Sequence, residues 1–251
     1  DPIGGADGTF AMIGVGEKGY VDLKFVAKSN GGHASAPGKN TPIARLAQFI
    51  CEAEKAQIFD IQMSDTVKEM LSRFAPTMKG VMKTACGNVK AFKPVLQKVM
   101  PMISPSAAAL LRTTLAFTQS KGSDGSNVIP QEAWVVGNMR YSHHQGRDAS
   151  VNAVTELAKK YDIETIVLDD GGESKITDFN GEQFKFIEKA VNTVFPQYKP
   201  VPYIMNGASD SRYFNRVCEN CLRFVPFNID NQQYGSVHGI DENVFIKCLP
   251  E

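Results

Sequence analysis

The chain has no excess of either charge. Lysine plus arginine number 27, aspartate plus glutamate number 27, and the formal net charge is zero. That balance leaves no electrostatic footprint for a nucleic-acid backbone or an anionic membrane surface, and neither partner is expected. Long hydrophobic runs are also missing. No stretch approaches the roughly eighteen apolar residues of a membrane-spanning helix. The opening DPIGGADGTF has no Met and no basic-then-apolar signal layout, and its Gly-rich turn suggests further sequence upstream. Cysteines are few and odd in number: Cys51, Cys86, Cys218, Cys221 and Cys248. Their irregular spacing argues against the disulfide framework of a small secreted domain and points to a reducing, cytoplasmic compartment. The pair in CENC has no second CxxC or nearby histidine to complete a zinc site, so packing is the preferred reading. Histidine, at four residues, is scarcer still, so each one is weighed below.

What is present is a globular composition, 43% hydrophobic and 22% charged over 251 residues, enough for one large domain or two ordinary ones. GYVDLKFVAK alternates, with Val21, Leu23, Phe25 and Ala27 on one side and Asp22, Lys24 and Lys28 on the other. That is the period of a half-buried strand. A Gly-His-Pro turn follows. Thr41 then stands where a helix cap would, with Pro42 at the first helical position and Ile43, Leu46, Ile50 and Ala53 on one face. From about residue 55 to 108 the pattern is helical but broken, and it reads as an insert of short helices. LLRTTLAFTQS and EAWVVGNMRY read as strands, GRDASVNAVTELAKKY as a capped helix, and IETIVLD as a fourth strand. The order β-α-(insert)-β-β-α-β predicts a ferredoxin-like antiparallel sheet with two helices on one face. After DDGGES the chain alternates again. EQFKFIEKAVNTVF reads as a helix, VPYIM and CLRFVPF as strands, and SVHGIDENV as the entry to a terminal helix, which suggests part of a mostly parallel α/β sheet.

Several residues could carry chemistry, each with an ordinary alternative. His33, behind two glycines, is a catalytic group, a metal ligand or a loop residue. His238 could bind a metal or make a cap hydrogen bond. His143 and His144, in a turn after a strand, read as solvated. Asn127 could satisfy its own backbone. Arg140, on a strand face with Asn138 and Val136, is a surface arginine or a fork for a carboxylate. Asp210 and Arg212 could pair with each other or bind substrate. Asp1 is a turn residue or a metal carboxylate.

Together, EKGYVDLKFVAKSNGGHASAPGKNTPIARLA, LLRTTLAFTQSKGSDGSNVIPQEAWVVGNMRY and GASDSRYF…LRFVPF…VHGIDENV resemble the zinc-dependent metallopeptidases that include carboxypeptidase S, aminoacylase and glutamate carboxypeptidase, most nearly the carboxypeptidase S branch. The likeness runs over nearly the whole chain in the right order and is loosest in the helical insert. It implies an α/β fold in which residues 18–170, the insert included, form an α+β lid used for dimerisation. Residues 1–17 and 171–251 would be pieces of a catalytic domain. It implies two zinc ions, with Asp1 and His238 as ligands. The family's branch reads Asp-Glu-Gly-Gly where this chain has Asp-Pro-Ile-Gly-Gly. His33 matches a lid histidine that reaches across a homodimer to stabilise a developing oxyanion. Asn127 and Arg140 match substrate-holding lid residues, and Arg212 would help bind a substrate carboxylate.

The resemblance also shows what is missing. The family uses a His-x-Asp motif and a Glu-Glu pair, one member of which is the general base, and this chain contains neither. Two of about five metal ligands cannot complete a dinuclear site. The expectation is therefore a hydrolase of peptide or N-acyl amide bonds next to a free carboxylate, with this chain inactive by itself. The rival expectation is a non-catalytic dimerisation or small-molecule-binding module that keeps the lid fold.

Overall fold

The structure is a computed structural model that describes residues 6–248. In chain order it opens with β1 (Phe10–Glu17), β2 (Gly19–Lys28) and β3 (Gly32–His33). The helices α1 (Pro42–Lys55), α2 (Asp65–Phe74), α3 (Gly80–Gly87), α4 (Val89–Ile103) and α5 (Pro105–Ala109) follow. Next come β4 (Thr114–Lys121), β5 (Val128–Ile129), β6 (Glu132–Tyr141), α6 (Gly146–Lys159) and β7 (Glu164–Gly172). The remainder holds α7 (Glu182–Val194), β8 (Lys199–Met205), α8 (Ser211–Phe214) and α9 (Asn231–Gly235). No helix among the described residues is long and apolar enough to cross a membrane.

Contacts divide the chain into two compact units. The sheet unit comprises Lys18–Gln62 and Leu111–Glu173. Its four strands lie in the order β4-β6-β2-β7, every neighbouring pair antiparallel. This is the ferredoxin-like arrangement expected from the element order. Alternation does what the sequence promised: Val21, Leu23, Phe25 and Ala27 are fully buried, and across β6 so are Ala133, Val135, Met139 and Tyr141. They pack with Leu46 and Phe49 of α1 and Val154, Leu157 and Ala158 of α6. Phe25, Phe49 and Phe117 form an aromatic triangle with ring centroids 4.8–6.0 Å apart. Burying rings of this size contributes about 1.5–3 kcal/mol each. Arg45 crosses from α1 to donate to the Asp162 backbone carbonyl at 2.8 Å and to pair with the Asp162 carboxylate.

Details at the helix starts differ from expectation. Pro42 does occupy the first turn of α1, but Thr41 makes no side-chain cap bond, and Ile43 stays exposed while Phe49 takes its place in the core. The start of α6 has no side-chain cap either. His143 and His144 are half-buried rather than solvated, and His144 Nε2 lies 3.1 Å from the Asp60 carbonyl oxygen.

The flanking unit comprises the described parts of Asp1–Glu17, Met63–Leu110 and Ser174–Glu251. The insert was expected in the lid, but Met63–Leu110 belongs here. The reason is packing. The apolar side of α2 (Val67, Met70, Leu71 and Phe74) is buried, and the Phe74 ring meets Phe10 of β1 at 4.7 Å. Arg73 pairs with Glu188 of α7 at 2.5 Å and donates to the Pro200 carbonyl of β8 at 3.0 Å. Strands β1 and β8 run parallel, and Ile13, Val15, Phe184 and Ile204 form a small core. CLRFVPF, read as a strand, makes only an isolated antiparallel bridge, Gly14 to Arg223. The expected terminal helix gives way to turns and a short 3₁₀ segment, Ile246–Cys248.

Candidate functional site

His33 lies in a two-residue ribbon of the sheet unit. Gly32 pairs with Ile129 and His33 with Val128. The ribbon is held at both ends, by the Ser29 N–H donating to the Gln131 carbonyl at 2.8 Å and the Ala34 N–H to the Asn127 carbonyl at 2.9 Å. Gly31 makes the approach possible. Its φ is +71°, and a Cβ there would stand 2.9 Å from Gln131 Cγ and 3.2 Å from the Ile129 carbonyl oxygen. The ribbon thus brings two of the expected residues, His33 and Asn127, side by side on an exposed loop pair.

The imidazole is oriented by its own turn. The Ser35 N–H donates to His33 Nδ1 at 3.1 Å, with Ser35 Oγ 2.8 Å from the same nitrogen. A backbone N–H can only donate, so Nδ1 is assigned as the acceptor and the proton of the neutral ring sits on Nε2. Among the described residues no hydrogen bond engages Nε2, which is left as an outward donor. Ser35 was not singled out in the sequence, although its i+2 spacing from the histidine carried the signal.

Arg140 stands on β6, on the sheet face away from the helices, opposite Tyr20 of β2 and Thr114 of β4. Its Nε donates to Asn138 Oδ1 at 2.9 Å, and its guanidinium carbon lies 4.9 Å from the Tyr20 ring centroid. Its Nη1 is buried without a hydrogen-bond partner. Two carboxylates lie beside these partners: Asp22 accepts from Asn138 at 2.5 Å, and Asp169 accepts from Tyr20 Oη at 2.8 Å. Sequence reasoning missed Lys18, just before β2. It is 4% exposed and donates to the Arg112 carbonyl at 2.7 Å. Burial pushes its ammonium down to about 7, with Arg140 and then Arg112 adding repulsion.

The other expected residues lie in the flanking unit. Arg212, on α8, donates to Tyr213 Oη at 2.9 Å and stacks on that ring at 4.8 Å. The loop before it is braced by a buried ion pair: Arg223 Nε donates to Glu17 Oε1 at 3.0 Å, and Ser209 Oγ donates to the same carboxylate. Asp210 and Arg212 form no ion pair with each other. His238 is exposed and does not precede a helix. It sits in a turn with φ +59°, and its N–H donates to Glu242 Oε2 at 3.0 Å. Asp1, the second expected metal ligand, lies outside the described residues. Among those described, no three His, Cys, Asp or Glu side chains converge on a point that could hold a metal, so they do not fit one by themselves.

Residues 15–165 match the peptidase dimerisation domain. The chain is 28% identical over 250 residues to human N-fatty-acyl-amino acid synthase/hydrolase PM20D1, covering 95% of this chain and 48% of that protein. To the probable carboxypeptidase S-like 2 of Dictyostelium discoideum it is 27% identical over 241 residues, covering 94% of this chain and 45% of that one. It spans, in other words, about half the length of the curated relatives it matches. In fold it is similar to the M20 family metallo-carboxypeptidase Sso-CP2 of Sulfolobus solfataricus, with a TM-score of 0.56 and 17% identity over 82% of this chain and 56% of that one.

Proposed function

The chain belongs to the peptidase dimerisation domain family of the M20 peptidases, and from that premise we propose that it is part of a metal-dependent hydrolase of peptide or N-acyl amide bonds beside a free carboxylate. The observation that carries this reading is the Ser35 N–H donating to His33 Nδ1, from which the tautomer of the neutral ring is assigned. The Ser35 N–H on Nδ1 leaves Nε2–H as a fixed outward donor, the form needed to receive charge developing on a carbonyl oxygen. Asn127, just before the paired strand, would hold the substrate, and Arg140 would grip its carboxylate. Arg212, on α8, would help bind a substrate carboxylate.

The metal, expected as two zinc ions in the longer protein, would take Asp1 and His238 from this chain and its remaining ligands from elsewhere. A homodimer formed through the sheet unit would present His33 to its partner's site. The outer strand β7 leaves Ile166, Val167 and Leu168 exposed, as a pairing edge would. This chain alone, lacking His-x-Asp and Glu-Glu, is expected to be inactive.

The test is an assay of the longer gene product, loaded with zinc, on N-acyl amino acids and dipeptides. His33→Ala should lower kcat about 10²–10³-fold with metal content unchanged. Loss of metal instead would assign His33 to the metal. No turnover by the loaded parent protein would support the non-catalytic module.

A further inference from the structure

The CENC turn joins α8 to the bridge residue Arg223 in the flanking unit, and it holds two free thiols of unlike exposure. Cys218 is exposed and Cys221 is buried. The turn folds the second sulfur back over the first residue. Cys221 Sγ donates to the Cys218 carbonyl at 3.6 Å, and Cys218 Sγ donates to the Asn220 carbonyl at 3.3 Å. Among the described residues no third His, Cys, Asp or Glu joins them, so the pair suits sulfur–sulfur chemistry better than a metal. Packing accounts for Cys221 but not for the exposed Cys218. The turn also rests against a buried ion pair. The Cys221 carbonyl accepts from Thr177 Oγ1 at 3.4 Å and from Arg223 Nη1. The same guanidinium donates from Nε to Glu17 Oε1 at 3.0 Å, and Glu17 accepts from Ser209 Oγ, in the loop that leads to Arg212.

We propose that Cys218 and Cys221 form a reversible thiol–disulfide site, closed by a low-molecular-weight disulfide and reopened by the corresponding thiol, and that closure stiffens the loop bearing Arg212 through Arg223 and Glu17. Residues three apart in a bend can bring their Cα atoms within the about 4–7 Å that a disulfide spans. Cys218 reacts first because it is exposed, while burial and then the neighbouring Cys218 push the Cys221 thiol up. The Cys218 thiolate attacks one sulfur of the small disulfide, whose S–S bond breaks and whose other half leaves as a thiolate. Cys221 then gives its proton to that thiolate or to water and attacks Cys218 Sγ. The mixed S–S bond breaks, the intrachain bond forms and the second small thiol leaves. In sum, two cysteine thiols lose two electrons and two protons, and one small disulfide gains both to become two thiols. So short a ring removes little entropy from the unfolded chain, and its effect is local: it fixes the turn that presents the Cys221 carbonyl to Arg223. Nothing in this chemistry depends on the hydrolase reading.

The experiment incubates the native full chain with oxidised glutathione, blocks remaining thiols with iodoacetamide, and maps the tryptic peptide Val217–Arg223, which carries both cysteines. The wild type should yield that peptide unalkylated and lighter by two hydrogens, and excess reduced glutathione should restore both thiols. Cys221→Ser should stop at a glutathione mixed disulfide on Cys218. In Cys218→Ser, the buried Cys221 should react about tenfold or more slowly than Cys218 does in Cys221→Ser, and unfolding in urea should remove that difference. Amide hydrogen exchange across Ser209–Tyr213 should slow about threefold or more when the wild type is oxidised, and should not respond to the oxidant in Cys218→Ser. The proposal is overturned if the wild-type peptide stays doubly alkylated or stops at a mixed disulfide, if native Cys221 reacts as fast as Cys218, or if oxidation leaves exchange across Ser209–Tyr213 unchanged.

Discussion

The two units bury their apolar residues to very different degrees. In the sheet unit, the inward side chains of β2 and β6 are sealed under α1 and α6. In the flanking unit, two parallel strands share a small core, while Val217, Val225, Ile240 and Ile246 are 61–91% exposed. A four-stranded antiparallel sheet with helices on one face completes its own core from local alternation. A two-stranded parallel pair cannot, because parallel strands are covered on both faces in the folds that use them. Exposed apolar surface of this kind marks a face for interaction.

The sharpest break of that comparison is Phe25→Ala, which removes the centre of the aromatic triangle. It should cost the sheet unit about 3–5 kcal/mol, read by amide hydrogen exchange, with protection in β1 and β8 little changed. Equal loss of protection in both units would show that they unfold together. Next is Arg223→Met, which strands the buried Glu17 carboxylate. It should cost about 3 kcal/mol, read by urea denaturation, and should deprotect the flanking unit first. The smallest effects separate two helix starts. Ser64 Oγ accepts from the Val67 N–H at 3.2 Å, so Ser64→Ala should cost about 1 kcal/mol of thermal stability. Thr41→Ala at the start of α1 should cost close to nothing.

These contrasts show which parts of the molecule could be read in advance. β2 and β6 were legible because their burial follows a period of 2 along most of each strand, and α7 from Phe184 to Val191 because it follows 3.6, although Val194 at its end is exposed. CLRFVPF was misread for a physical reason. Leu222 and Phe224 do pack on the flanking core, as strand residues would, but the backbone finds a partner only at Gly14, and the Arg223 side chain is committed to Glu17. His238 was read as preceding a helix, yet it occupies a left-handed turn that local pattern does not signal in a non-glycine residue. Of the candidate residues, His33 and Asn127 were legible as motif members but not as neighbours. Lys18 was invisible, because a lysine beginning an alternating strand looks like any solvated one.

The sequence by itself determined the order of elements, the buried side of each sheet strand and the residues that resemble a peptidase lid, since each of these is written in local period or local motif. Only the tertiary structure decided that the helical insert packs with the flanking unit, that the ribbon sets His33 beside Asn127, and that Lys18 is buried on the Arg112 carbonyl. Each of these depends on groups meeting across tens of residues, and the free energy of burying a charge or an apolar face is set by what arrives opposite it.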